Sequence, residues 1–263
     1  MKAQPAQWKV LPAVESCPCL DLLSRLREDY GVCALKLSTE DAGMSFEQIR
    51  FWARQCRGLM PVMVKIGGPN ARNDIRELVS SGIDGLIAPM VESPYGLENF
   101  MSALRTCTQP RQFAGIKKQI NVETLTATFH LDAMLALPEA LELDEITIGC
   151  TDLSQSMGLQ VTHPRVTELV EQCIQRIRRK GIPVSIGGGI TPGNVDLRLE
   201  KLAPSHFNTR VLTFPYLPGR EYGEAVRQAL HFELEMLDLD LRKGFLKPAE
   251  ARARMKELRS RLG

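Results

Sequence analysis

Apolar positions along the chain change repeatedly between a spacing of two and the spacing of a helix face, the pattern of strands alternating with amphipathic helices. Seven stretches read as strands: 32–38, 61–66, 84–88, 117–123, 145–150, 182–186 and 205–211. In the first, Leu35 and Leu37 face one way while Ala34, Lys36 and Ser38 face the other. Helical patterns fill the intervals over 20–30, 46–56 behind a Ser45 cap, 71–80, 97–104, 124–137 and 164–179. Thr124, Thr126 or Thr128 starts the 124–137 helix and Pro138 stops it. Two further helices, 222–239 and 248–262, meet at Gly244. Strand, helix and strand in that order form a crossover between parallel neighbours. The expected fold is therefore α/β, a (β/α)8 TIM barrel with extra C-terminal helices, and a doubly wound open sheet is the fallback. Its eighth strand lies near Trp8 (8–11) or is concealed elsewhere. The whole of 1–263 is expected to be one barrel domain, with an irregular segment at 1–19 and a helical extension at 240–263.

The strand faces turned away from the helices collect Lys36, Lys65, Asn121, Glu123, Thr147, Ser185, Asn208 and Arg210. Barrel interiors are normally packed with branched apolar side chains, and an unpaired buried ion costs several kcal/mol, so this many polar positions imply a ligand cavity. Glu123 and Asp152 fall at the ends of strands joined by one crossover, hence at the same rim. Hard oxygen donors reached by water suit Mg2+ or Mn2+ better than Zn2+. Read from spacing alone, a Glu and an Asp after strands serve more often as a helix cap and a salt-bridge partner. Likewise Lys36 or Lys65 can simply neutralise Glu123.

The segments INVET and ITIGCTDLSQSMG, with VKIGGPNARNDI and GIDGLIAPMVES upstream, closely resemble the metal-bearing segments of the HpcH/HpaI aldolase and citrate lyase family. The resemblance covers about Gly31 to Gly189. It implies a cytoplasmic metal-dependent aldolase, or carbon–carbon lyase, acting through a pyruvate-like enolate on a 2-keto acid. Glu123 and Asp152 match the residues that hold a divalent metal, and Lys36, Asn121, Gly149 and Thr151 are the expected substrate contacts. The family's C-terminal helices are often exchanged between subunits, which implies a homo-oligomer.

Four positions depart from the family pattern. Lys65 stands where an Arg is common, so the planar fork that grips a carboxylate is lost while the charge is kept. In KLSTEDAGMS, Asp41 replaces the His that serves as general base and Ser38 replaces an Asp; Asn121 replaces a frequent Gln. Glu40 or Asp41 takes over as base if its surroundings raise its pKa toward neutrality. These departures keep two alternatives open: a Schiff-base aldolase using Lys36 or Lys65, and an altered barrel that binds a metabolite or acts as a scaffold. His163 is the histidine nearest the expected site. The glycines of SIGGGI suit an anion cradle or simply a tight turn, and Arg72, Asp74 and Arg76 read as a solvated helix face.

Composition narrows the partners. Thirty-three basic and 31 acidic residues leave a formal charge of +2, too little field to attract nucleic acid. Seven scattered cysteines without a CxxC pair indicate reduced thiols, with Cys17–Cys19 as a turn before a helix. No apolar run is long enough for a membrane span. Small molecules, a keto acid and an aldehyde, are the expected partners.

Overall fold

The computed structural model describes residues 18–262. Its first half runs α1 (Pro18–Tyr30), β1 (Ala34–Ser38), α2 (Phe46–Gln55), β2 (Val62–Lys65), α3 (Arg72–Val79), β3 (Gly85–Ala88), α4 (Pro94–Cys107), α5 (Pro110–Gly115) and β4 (Lys117–Val122). Then follow α6 (Leu125–Leu135), β5 (Glu145–Gly149), α7 (Cys150–Ser156), α8 (Pro164–Arg178), β6 (Val184–Gly187) and α9 (Val195–Leu202). The chain finishes with β7 (His206–Asn208), β8 (Leu212–Pro215), α10 (Gly223–Arg242) and α11 (Pro248–Arg261).

Among the described residues eight strands close into a barrel in chain order, so the open sheet is set aside. Strands β1 to β7 pair in parallel. The last strand departs from the (β/α)8 plan, because β8 runs antiparallel to both β7 and β1. The expected strand 205–211 stops at Asn208, where Thr209 turns the chain: its N–H donates to Leu212 O at 2.9 Å and its Oγ1 accepts from Leu212 N at 3.1 Å. Phe207 and Phe214 then stack across the hairpin, centroids 5.0 Å apart. The doubtful strand near Trp8 lies outside the described residues, as does Cys17; Cys19 is a buried residue of α1.

Alternation along each strand builds two layers. Leu35, Leu37, Val62, Val64, Ile120, Val122, Ile146 and Ile148 face outward into the ring of helices and are fully buried there, each contributing roughly 1.5–3 kcal/mol. The opposite faces point into the barrel. At its lower end Ala34, Met63 and Ile87 form a small apolar plug, and Gly85 leaves room for it, since a Cβ there would lie 2.2 Å from Met63 Cε. Above the plug the interior becomes polar.

Local signals fix the helix starts. Ser45 Oγ accepts from Gln48 N at 3.1 Å, and Thr124, of the three candidate threonines, caps α6 by accepting from Ala127 N at 3.1 Å. The C-terminal helices pack on their own chain. Trp52 Nε1 and Gln48 Nε2 of α2 both donate to Asp240 of α10 at 2.8 Å, and α11 lies on α10 through Leu230, Leu237, Ala251 and Leu258. Among the described residues no helix is long and apolar enough to cross a membrane.

Candidate active site

A cavity of about 520 Å3 opens at the C-terminal ends of the parallel strands, the end at which loops of such barrels carry their chemistry. Lys36, Glu40, Asp41, Lys65, Asn121, Glu123, Gly149, Thr151 and Asp152 all line it. Residues from the ends of β1, β2, β4 and β5 are thus gathered into one space.

Glu123 follows β4 and is buried. Met90 N donates to its Oε1 at 2.9 Å and Asn121 Nδ2 to its Oε2 at 3.1 Å. Met90 holds this position with a left-handed φ of 52°, a conformation that costs about 1–3 kcal/mol and is kept where the surroundings demand it. Asp152 lies in the first turn of α7, two residues past the end of the expected strand 145–150, whose last residue, Cys150, already begins the helix. Burial raises the pKa of Glu123, and the charge of Asp152 adds to the rise against the pull of Met90 N–H and Lys65. Asp152 is raised too, again by burial, with Glu40 and Asp41 adding to it and Lys65 opposing.

Lys65 ends β2 and pairs with Glu40 Oε2 at 2.6 Å and Asp41 Oδ1 at 3.4 Å. Burial lowers its pKa, but Asp41 and Glu40 more than offset that and hold it above the ordinary value, so it stays an ammonium. Ser38 Oγ accepts from the backbone N–H groups of Glu40 at 3.1 Å and Asp41 at 3.2 Å, which folds the loop back over the cavity. Thr39 Oγ1 donates to Asp74 Oδ2 at 2.6 Å, and Gly67 N donates to the same oxygen at 2.9 Å. Asp74 therefore ties the β1 and β2 loops together, and the solvated-face expectation for it is corrected. The rise that a base role for Asp41 requires is also not found: burial pushes its pKa up, yet Lys65 and Ser38 bring it below the ordinary value.

Lys36 rises from β1 into the same space. No hydrogen bond or ion pair among the described residues engages its Nζ, and burial together with the Lys65 charge lowers its pKa to about 8. Deeper in, Thr147 and Ser185 hydroxyls meet at 2.8 Å, and Asn208 Nδ2 donates to Ser185 Oγ at 3.1 Å. His163 is not part of the cavity; it is the N-cap of α8, its Nδ1 accepting from Arg165 N at 3.2 Å.

Among the described residues no group of three or more His, Cys, Asp or Glu is assembled for an ion. Glu123 and Asp152 nonetheless fit a hard dication, since Mg2+ is commonly held by one or two carboxylates and keeps several waters. Two features of the cavity agree. Five carboxylates, Glu40, Asp41, Glu123, Asp152 and Glu257, line the cavity against four cations, Lys36, Lys65, Arg210 and Arg261, so the side chains leave net negative charge for a cation to offset. Asn121 Oδ1 is buried with no donor, an acceptor left for a water or a ligand hydroxyl.

Sequence reasoning missed part of the wall. Met90 falls between the expected strand 84–88 and the helix 97–104, where no pattern marks it, although its backbone N–H holds Glu123. Glu257 and Arg261 of α11 also line the cavity. Nothing in the strand pattern points to them, because they arrive from a helix beyond the barrel.

The closed barrel with carboxylates and lysines at the C-terminal mouth defines a class of enzyme-like α/β barrels, and comparison with known proteins narrows it. The profile of the HpcH/HpaI aldolase/citrate lyase family matches residues 46–186, more than half of the 263 residues, and the chain belongs to that family. It is similar to 2-keto-3-deoxy-L-rhamnonate aldolase of Salmonella paratyphi B, 28% identical over 145 residues, covering 46% of this chain and 52% of that protein. The chain thus spans about half the length of the curated relatives it matches. An HpcH/HpaI aldolase from Desulfitobacterium hafniense superposes with a TM-score of 0.57 at 19% identity, over 68% of this chain and 77% of that one. Citrate synthase SbnG gives 0.59 at 17%, over 73% and 81%. These likenesses concern the fold.

Proposed function

We propose that the protein is a divalent-metal-dependent aldolase that makes or breaks a carbon–carbon bond next to the keto group of a 2-keto acid. The observation that carries this reading is the convergence of Glu123 and Asp152 with Lys65 in one cavity whose carboxylates outnumber its cations. Family membership and the named aldolase relative support it.

A Mg2+ or Mn2+ ion on Glu123 and Asp152 would supply Lewis-acid polarisation of a keto oxygen. Asn121 and the Met90 N–H orient Glu123. Lys65, kept charged by its carboxylate partners, lies where negative charge grows on the enolate oxygen and offsets it. Glu40, hydrogen-bonded to Lys65, is the group placed to hold and move the proton, while Asp41 secures the ammonium. Gly149 and Thr151 shape the floor beside the keto acid, and Lys36 adds positive charge beneath it. The reactants are small molecules, the protein works in the cytoplasm, and its subunits associate.

The test is exchange of the pyruvate methyl protons for deuterium, followed by NMR with added Mn2+ or Mg2+. Exchange is expected in the natural chain and lost in Glu123→Gln, in parallel with loss of bound Mn2+ by electron paramagnetic resonance. Persistence of exchange in that variant would remove the proposal. One observation favours a second reading: Lys36 is unpaired and its pKa is lowered to about 8, which suits an amine that adds to a keto carbon and expels water. Lys65, fixed as an ammonium, does not suit that role. Borohydride trapping with pyruvate followed by peptide mapping separates the two readings, since the metal route leaves Lys36 unmodified.

A further inference from the structure

The cavity is larger than a three-carbon keto acid requires: about 520 Å3 lies in the range that holds a ligand several times that size. Part of its wall is unrelated to the carboxylates. It consists of the loop after β6 with Gly188 and Gly189, the β7–β8 turn with Arg210, and Arg261 of α11. Both glycines take left-handed φ values, 84° and 65°. Their carbonyls are anchored, since Arg198 Nη1 donates to Gly188 O at 3.0 Å and to Gly189 O at 2.9 Å. Among the described residues no hydrogen bond takes up the N–H of Gly189 or Ile190. The loop is thus held rigid with backbone donors to spare, the property that lets glycine turns bind anions.

Two guanidinium groups stand with it. Arg261 Nη2 donates to Ile190 O at 3.0 Å, which pins the end of α11 to this loop. Arg210 has only distant counter-ions, Nε lying 3.8 Å from Glu233 Oε1 and Nη1 3.9 Å from Glu257 Oε2. Both separations exceed hydrogen-bond reach, so the donors of Arg210 are unspent. Glu257 is exposed and can be displaced; Glu233 is buried and cannot follow.

We propose that the reactant paired with the keto acid carries a terminal phosphate, and that Arg210, Arg261 and the backbone of Gly188–Ile190 receive it. The proposal rests on the lyase reading for the role of that reactant, though the anion site itself does not. A phosphate brings nearly two negative charges and three acceptor oxygens, which matches two guanidinium forks and a donor-rich loop better than a carboxylate does. It also gives α11 a purpose: the helix completes the mouth of its own barrel.

Calorimetry on the full chain with inorganic phosphate and with succinate tests the site without any turnover. Phosphate is expected to bind more tightly than succinate. Arg261→Gln and Arg210→Lys should each weaken phosphate on the order of ten- to a hundredfold, and Glu257→Gln should tighten it. Arg261→Gln also loses the bond to Ile190 O, so Arg210→Lys, which breaks no hydrogen bond within 3.5 Å, is the variant expected to unfold at the temperature of the natural chain, and it separates lost binding from lost folding. Phosphate affinity unmoved by Arg261→Gln, or succinate binding more tightly than phosphate, overturns the assignment. The kinetic arm compares glyceraldehyde 3-phosphate with glyceraldehyde as partners for pyruvate. A higher kcat/KM for the phosphate ester, reduced in Arg261→Gln, supports the proposal; preference for the neutral aldehyde overturns it. If neither aldehyde reacts while phosphate still binds on the two arginines, the lyase reading fails and the anion site stands.

Discussion

Gly149 at the end of β5 and Glu123 after β4 are so close that a Cβ on Gly149 would lie 2.6 Å from both Glu123 Cβ and Oε2. Glycine is required here for space, and the carboxylate takes the place that a side chain would fill. Gly149→Ala is expected to push Glu123 away from Met90 N and Asn121, at a cost of about 1–3 kcal/mol from overpacking. Urea unfolding measures that loss, and Mn2+ titration should show weaker binding in the same variant. Unchanged Mn2+ affinity would separate Glu123 from the metal.

Glu123 and Asp152 both have raised proton affinity, and a carboxylate must lose its proton to bind an ion. Mn2+ should therefore bind more weakly in acid and more tightly as pH rises, over a window shifted above the ordinary carboxylate range. Ligand binding to the folded state raises the unfolding temperature, by the equivalent of about 2.7 kcal/mol at a hundredfold excess over Kd. Scanning calorimetry with Mn2+ at a series of pH values should show an increment that grows with pH, is reversed by EDTA and is absent in Glu123→Gln. An increment independent of pH would mean that other groups hold the ion.

The barrel was legible because period-two apolar runs separated by capped helices leave few alternatives, and the same alternation turned Lys36, Lys65 and Asn121 inward. What the pattern concealed was the return of the chain at Thr209. The stretch from Ser205 to Phe214 has no glycine or proline to mark a turn, and a threonine hydroxyl closing on Leu212 N leaves no trace in hydrophobic periodicity. The protonation of Asp41 was concealed for a related reason. Its sequence position suggested a base, but its proton affinity depends on Lys65 and Ser38, and contacts across a loop are set by three-dimensional packing.

Asp240 fastens α10 to α2 by accepting from two buried donors, Trp52 Nε1 and Gln48 Nε2. Asp240→Ala should cost about 3–5 kcal/mol, because it strands both donors and leaves a void. Asp240→Asn keeps an oxygen for one donor and should cost less than half as much. Chemical denaturation of the two variants provides the comparison. Equal losses would show that volume, and not the hydrogen bonds, holds the helix in place.

Glu233 supplies a pH prediction whose sign follows from its burial. The side chain lies beneath Arg210 with Oε2 unpartnered, and burial raises its pKa from 4.5 to about 7, with Arg210 and Arg261 opposing the rise. Between those values the folded state binds more protons than the unfolded chain, so stability falls as pH increases through that window. Below pH 4.5 the group is neutral in both states and costs nothing by this route; above pH 7 the full penalty is present. Glu233→Gln cannot ionise and carries no such slope. Any fixed cost of the substitution applies at all pH values, so the informative quantity is the difference in unfolding free energy between variant and natural chain, measured at pH 4 and at pH 8. That difference should move in favour of the variant by on the order of 2–3 kcal/mol across the interval. No movement would mean that Arg210 keeps Glu233 ionised in the fold at little cost, and the pair would then be a true ion pair despite its length.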